Sequence, residues 1–376
     1  MKYSIEIGKI VEGALKYDQE KVISYTRLLI EKLHADNEDR AAGKFSKMLT
    51  SSDKGKLTAM DIGKSRNVPV DSESRSSLVD MIYPSDNSIE VILSESNREK
   101  IQAFITSYRH ADRLNFLGLG VSNTLMIYGP PGCGKTKCAY LIAKELGLPL
   151  IVARLDSLIS SYLGTTAKNI RNVFEFAQSM PCVLFLDEFD AIAKARDDSN
   201  ELGELKRVVN SLLQNVDTMS SDSLLLAATN HEHLLDSAVW RRFDYRVEIE
   251  LPDAEAISRM IDLFSHGMST LDSKDRSLMA VAFRGLSGAD IEGIIKKALR
   301  NAVIAGKEVS LTDIYNEFFL SSKIIPQNCI DKKEQNIIKA NFLRSCDAKL
   351  FSYSVIATIL GISKTAVSHL CKEDTP

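Results

Sequence analysis

Residues 129–136 read Gly-Pro-Pro-Gly-Cys-Gly-Lys-Thr, and residue types at that spacing suit polyphosphate chemistry. Glycines let consecutive backbone N–H groups turn toward one anion, and a helix starting at the lysine adds the positive end of its dipole. Gly129-x-x-x-x-Gly134-Lys135-Thr136 is a full P-loop pattern. It assigns Gly129, Pro130, Pro131, Gly132, Cys133 and Gly134 to the wrap around the phosphates. Lys135 is expected to neutralise the β- and γ-phosphates, and the Thr136 hydroxyl to ligate Mg2+. ATP and Mg2+ are therefore the expected ligands. Cys133 reads first as a small residue that merely fits; it also lies near Lys135 and the helix start, both of which favour a thiolate, and oxidation there would switch the site off.

A second group stands 51 residues on from Thr136. Cys182-Val-Leu-Phe-Leu-Asp187-Glu188 is an apolar strand ending in two carboxylates. In a parallel sheet the carboxyl end of such a strand opens beside the phosphate loop. Asp187 would hold magnesium, and Glu188 would act on the attacking water as base or positioning group. A third apolar strand, Leu224–Ala228, ends in Thr229-Asn230. Asn230 there suits a hydrogen bond to the water or γ-phosphate, or a plain turn.

Several elements must position these groups. From residue 124 strands and helices alternate: Leu125–Tyr128, helix Lys135–Leu146, Leu150–Ala153, helix 166–178, Cys182–Leu186, helix 201–216, Leu224–Ala228 and Tyr245–Glu250. Apolar strands with helices between them imply a parallel sheet in an α/β layer fold. Apolar spacing through Val22, Ile23, Tyr25, Leu28, Leu29 and Leu33 predicts a helix before it, and Phe45, Met48 and Leu49 a second. Residues 50–77 are polar and linker-like. Ile89–Leu93 reads as a short β run, followed by a helix over 97–116 capped by Ser96. From 253 to about 320 the pattern is helical, and Pro326 precedes a last helical stretch.

The composition sets the class. The chain has 376 residues, 44% hydrophobic and 26% charged, with a formal net charge of −3. That supports a folded protein and argues against nucleic acid binding over the whole surface. The six cysteines form no C-x-x-C pair, so they read as free thiols in a reducing compartment. No apolar run reaches membrane-spanning length, and the cytoplasm is the expected location.

In order and spacing these motifs resemble the AAA ATPases, in the branch of FtsH and spastin. The resemblance covers roughly 85–320 and adds Leu-Asp-Ser-Ala-Val-Trp-Arg-Arg-Phe-Asp at 235–244 and Leu-Ser-Gly-Ala-Asp-Ile at 286–291. It implies an α/β P-loop NTPase parallel sheet with a helical AAA lid, plus small all-α N- and C-terminal domains. The expected boundaries are 1–49, a linker at 50–84, the ATPase domain at 85–252, the lid at 253–325 and a C-terminal domain at 326–376. The resemblance makes Asn230 the sensor-1 residue, and Arg241 and Arg242 arginine fingers that reach a neighbouring subunit's γ-phosphate. Against that stands an ion pair between one arginine and an acid such as Asp244. Trans fingers imply a homo-oligomeric ring, usually a hexamer. Gly288 and Ala289 would line the base and ribose side, and Gly120 the adenine pocket. Tyr162, Leu163 and Gly164 resemble the aromatic–hydrophobic–glycine loop that family members point into a central pore. Residues 194–204, with Lys194, Arg196, Asp197 and Asp198, suggest either a second pore loop or a solvated charged loop.

The C-terminal Tyr353–Lys372 stretch has a helix-turn-helix pattern. Gly361 makes the turn, Ser363 caps the second helix, and Ile356, Leu360, Ile362, Val367 and Leu370 fill the core. Lys364, Thr365, Ser368 and His369 would face outward, toward DNA or a protein. The leading expectation is an ATP hydrolase working as a ring to remodel, unfold or translocate polypeptides, serving a separate protease or a defence system. No His-Glu-x-x-His or Gly-x-Ser-x-Gly motif occurs in the sequence. The alternatives are a DNA-associated ATPase regulator and an ATP-gated assembly or sensor module.

Overall fold

In the computed structural model the chain is described over residues 2–15, 19–52, 68–71, 75–84, 90–155, 163–191, 202–219, 223–265, 271–322, 324–326 and 331–371. It forms two compact units: Met1–Val91, Glu95–Gly129 and Lys135–Ile249 in the first, and Ile92–Ser94, Pro130–Gly134 and Glu250–Pro376 in the second.

The N-terminal segment holds three helices, α1 (Ser4–Leu15), α2 (Gln19–Ala35) and α3 (Asp39–Ser52), where two were expected. The additional one, α1, is buried through Glu6, Lys9 and Gly13 rather than through an apolar stripe. Lys32 pairs with Glu6, and Lys9 and Lys21 both pair with Glu12.

The polar stretch read as linker is structured at its end. Strand β1 (Asp80–Ile82) joins the sheet antiparallel, with Asp80 opposite Val152. Leu78 and Val79 carry this segment into the sheet's core. The β run expected at 89–93 is not a strand over its described residues, Glu90–Leu93. Its apolar side chains instead enter packing, with Leu93 buried and Ile92 against the second unit's core. The following helix divides at His110 into α4 (Glu95–Arg109) and α5 (Ala111–Phe116), and Ser96 sits inside its first turn.

The sheet has six strands in the order β1-β3-β4-β5-β2-β6. Strands β2 (Thr124–Tyr128), β3 (Leu150–Arg154), β4 (Val183–Asp187), β5 (Leu224–Thr229) and β6 (Tyr245–Glu248) run parallel. Between them lie α6 (Lys135–Leu146), α7 (Leu163–Gln178), α8 (Leu202–Asp217) and α9 (Ser237–Trp240). Strands β2, β4 and β5 are buried almost throughout, as central parallel strands covered on both faces must be. The chain leaves β2, crosses to β3, and steps back through β4 and β5 to lie beside β2 again. The carboxyl ends of β2, β5 and β4 thus come side by side, where ligands bind in open α/β sheets.

The second unit is helical: α10 (Ala254–Ser265), α11 (Ser273–Ala282), α12 (Gly288–Ile304), α13 (Leu311–Ser321), α14 (Lys332–Cys346), α15 (Tyr353–Leu360) and α16 (Lys364–Leu370). Phe283, Tyr315, Phe318, Phe319 and Phe342 form an aromatic cluster in it. Ala340, Leu343, Phe351, Ile356, Ile359 and Val367 join the same core, so the C-terminal helices share it. Gly361 takes a left-handed φ of 65° between α15 and α16, and Ser363 accepts from the Ala366 N–H as their sequence suggests. Ile359, which the sequence reading left out, is fully buried, whereas Leu360 is only partly so. No described helix is long and apolar enough to cross a membrane.

Candidate active site

The glycine-rich turn follows β2 directly, and its glycines are demanded by geometry. Gly129 has φ 134°, and a Cβ there would stand 2.2 Å from the Ile249 carbonyl oxygen. Gly132 has φ 76°, and a Cβ there would meet Ser287 Oγ at 2.5 Å. Gly134, with φ 95°, has open space where its Cβ would point. Each of these φ values lies where L side chains are strained. The turn delivers the chain to the first residue of α6, Lys135, which is only 7% exposed. Its Nζ donates to the Gly129 carbonyl at 2.7 Å, so the ammonium lies folded across the loop.

One residue on, Thr136 Oγ1 donates to Asp187 Oδ2 at 3.1 Å. That separation fits a shared hard cation. Octahedral magnesium with oxygens at about 2.1 Å sets neighbouring ligands about 3 Å apart. Asp187 Oδ1 accepts from the Glu188 N–H at 2.9 Å, which fixes the carboxylate's plane. The lysine and this hydroxyl–carboxylate pair therefore suit a magnesium-bound polyphosphate.

Glu188 has φ 55°, one of four non-glycine residues in the positive region among the described residues. For a glutamate this costs about 1–2 kcal/mol and marks a position held by its surroundings. Immediately after it the Phe189 N–H bonds the Ala228 carbonyl at 2.8 Å. Asp190, 4% exposed, accepts from Thr229 Oγ1 at 3.1 Å, and the Asn230 N–H approaches it at 3.5 Å. Asp187, Glu188 and Asn230 are thus gathered where β4 and β5 end.

The adjacent arginines differ. Arg242 donates through Nε and Nη2 to the two oxygens of Asp217, each at 2.8 Å, and through Nη1 to the Ala238 carbonyl at 2.7 Å. The Asp217 hydrogen bond pushes the guanidinium pKa further up. The partner acid is Asp217, not Asp244. Arg241 is exposed and makes no side-chain bond among the described residues.

In the second unit, Ser287 caps α12 in a reciprocal box with Asp290. The Ala289 N–H donates to the Gly132 carbonyl at 3.0 Å, and Gly288 packs on Met260 and near Gly132. Residues 130–134 thus sit on the Ser-Gly-Ala-Asp turn, with Gly288 and Ala289 against Gly132. Gly120 has φ 69°, and a Cβ there would meet nothing within 4 Å. Cys133 is half-buried, with Sγ 3.8 Å from the Pro131 carbonyl oxygen. Burial, opposed by the nearby Lys135 charge, pushes the Cys138 thiol up to about 12. The five described cysteines form no disulfide among the described residues.

Tyr162 lies outside the described residues, as do 194–201 of the second suggested loop. Leu163 and Gly164 open α7 rather than a free loop. On α16, Lys364, Thr365 and His369 are exposed and Ser368 is half-buried. Sequence reasoning missed Asp190 and Asp217. Asp190 was visible as a further acid in Leu-Asp-Glu-Phe-Asp, whereas nothing local points from Arg242 to an acid 25 residues earlier.

Residues 125–251 match the family model described as ATPase family associated with various cellular activities (AAA). The chain is similar to an uncharacterized AAA family ATPase of Sinorhizobium fredii, 44% identical over 232 residues that cover 62% of this chain and 70% of the relative. It is also similar to the ATP-dependent zinc metalloprotease FtsH of Lancefieldella parvula, 31% identical over 61% of this chain and 36% of the relative. A third relative, FtsH 3 of Sphaerobacter thermophilus, is 31% identical over 58% of this chain and 46% of its own length. The chain thus spans less than half of either metalloprotease.

Proposed function

The chain belongs to the AAA family of ATPases and is an ATP hydrolase, and from that premise we propose that it works as a ring of copies that remodels, unfolds or translocates polypeptides. The observation that carries the ring is the contrast at 241–242. One chain gathers Lys135, the Thr136–Asp187 pair, Glu188 and Asn230, while Arg242 is held by Asp217 and Arg241 points to solvent without a partner among the described residues. Arg241 is then the finger given to the neighbouring copy, and Arg242 the brace that holds its turn.

In this reading Lys135 exchanges the Gly129 carbonyl for phosphate oxygens. Thr136 and Asp187 would hold Mg2+, which would supply positive charge against the phosphates. Glu188 takes the proton of the attacking water, Asn230 orients that water, and the neighbour's Arg241 meets charge on the transferring phosphoryl group. The names of the FtsH relatives, ATP-dependent metalloproteases, support a polypeptide as the substrate. Tyr162, ahead of α7, is the residue proposed to grip it, and a separate protease is the proposed partner.

A second reading rests on α16. Its capped first turn exposes Lys364 and Thr365, with His369 exposed further along, the presentation a DNA-contacting helix needs.

A Glu188→Gln protein separates the two. It should bind ATP while hydrolysis falls about 10²–10⁴-fold, and should hold its substrate. Polypeptide on the purified trap supports remodelling, and nucleic acid removed by salt supports the second reading. Hydrolysis at the wild-type rate would overturn the assignment of Glu188.

A further inference from the structure

The β4–β5 ladder pairs Val183–Leu186 with Leu224–Ala227 and then stops. Glu188 turns out of it at φ 55°, and two tethers close the gap behind it. One is the 2.8 Å bond from the Phe189 N–H to the Ala228 carbonyl. The other is made by a side chain that the hydrolytic scheme leaves without a task, Asp190. Its carboxylate accepts from Thr229 Oγ1 at 3.1 Å and faces the Asn230 N–H at 3.5 Å. Thr229 Oγ1 in turn accepts from the His231 N–H at 3.0 Å. Asn230 is therefore bracketed from both sides by one buried relay. Asp190 is 4% and Thr229 1% exposed, so water does not compete for these bonds.

We infer that Asp190 is a positioning residue for ATP hydrolysis: through Thr229 it locks the turn bearing Glu188 to the strand end bearing Asn230. The inference rests on the roles given to Glu188 and Asn230 above. An acid side chain suits this task because one oxygen can accept from the Thr229 hydroxyl while facing the next N–H along the strand end, that of Asn230. Glu188 and Asn230 lie on different strands, and the water between them is placed only if the two strand ends keep one spacing. A backbone bond alone leaves the Asn230 side free to turn. Asp190 touches neither phosphate nor metal ligand in this scheme, so its loss should reach turnover and spare binding.

Thr229 gives the cleanest variants. Thr229→Val keeps the volume and removes the hydroxyl, and Thr229→Ser keeps the hydroxyl. Steady-state ATPase kinetics, fluorescent-nucleotide affinity and thermal melting are measured for both, for Asp190→Ala and for the double variant Asp190→Ala/Thr229→Val. The expected result is a kcat lower by about 10–10²-fold for Thr229→Val, as for a misplaced reacting group, with nucleotide affinity within about threefold of wild type. Thr229→Ser should recover most of the rate. The double variant should be no slower than Asp190→Ala, since both changes break one link. The inference is overturned if Thr229→Val keeps the wild-type kcat, if Thr229→Ser is as impaired as Thr229→Val, if affinity falls in step with kcat, or if the two changes multiply. Should Asp190→Ala fail to fold, the Val and Ser variants decide by the same criteria. Glu188→Gln runs alongside. If it still hydrolyses ATP, the reading of the site fails; if it does not and Thr229→Val is as fast as wild type, only the role of Asp190 fails.

Discussion

Two arginines side by side in sequence, Arg241 and Arg242, have opposite surroundings, and the contrast divides their work. The fork of Arg242 is matched to both oxygens of Asp217, a bidentate arrangement that fixes direction as well as distance. Its side chain is 27% and that of Asp217 48% exposed, so the pair contributes on the order of 1 kcal/mol or less. Arg242→Ala should therefore lower the melting temperature a little and leave kcat within about tenfold. Arg241→Ala should leave melting unchanged and cut kcat about 10³-fold, the scale of a lost arginine finger. Equal kinetic losses would overturn the division. Sequence alone could not separate the two, because the deciding acid is 25 residues away at the end of α8. By contrast Lys135, Thr136, Asp187, Glu188 and Asn230 were legible, since each sits where an apolar strand or the glycine-rich turn ends. What the motif did not reveal was the backbone of Glu188, whose positive φ is imposed by the tethers on either side of it.

At the scale of elements, legibility followed burial. Strands β2, β4 and β5 are covered on both faces, and unbroken apolar runs announced them. Helix α1 hid because its charges face inward while Ile7, Val11 and Leu15, spaced by four, are exposed. An apolar-stripe rule reads such a helix inside out. Strand β1 hid because three residues at an antiparallel sheet edge carry too little pattern. The helical unit offers a sharper test of packing. Tyr315 is 0% exposed within its aromatic cluster, and its hydroxyl has no hydrogen-bond partner among the described residues. Burial drives its pKa well above the ordinary value, which keeps the phenol neutral. A buried hydroxyl without a partner costs about 1–3 kcal/mol, so Tyr315→Phe should raise the midpoint of thermal unfolding. A lower midpoint would mean that the hydroxyl is satisfied.

In the whole molecule proposed above, one chain carries most of a hydrolytic site and its neighbour completes it. Lys135, the Thr136–Asp187 pair, Glu188 and Asn230 lie in one compact unit of a single chain, and Arg241, the proposed finger, is exposed. In the proposed ring a heterologous, head-to-tail contact between copies would complete every site in the same way. Turnover would then belong to the assembly. The most direct test measures ATP turnover per subunit across a dilution series, alongside the fraction of chains assembled. Turnover should rise in proportion to that fraction and fall about 10³-fold in the monomer, the loss that an absent finger entails. A monomer that hydrolyses ATP at the full rate would contradict the shared site.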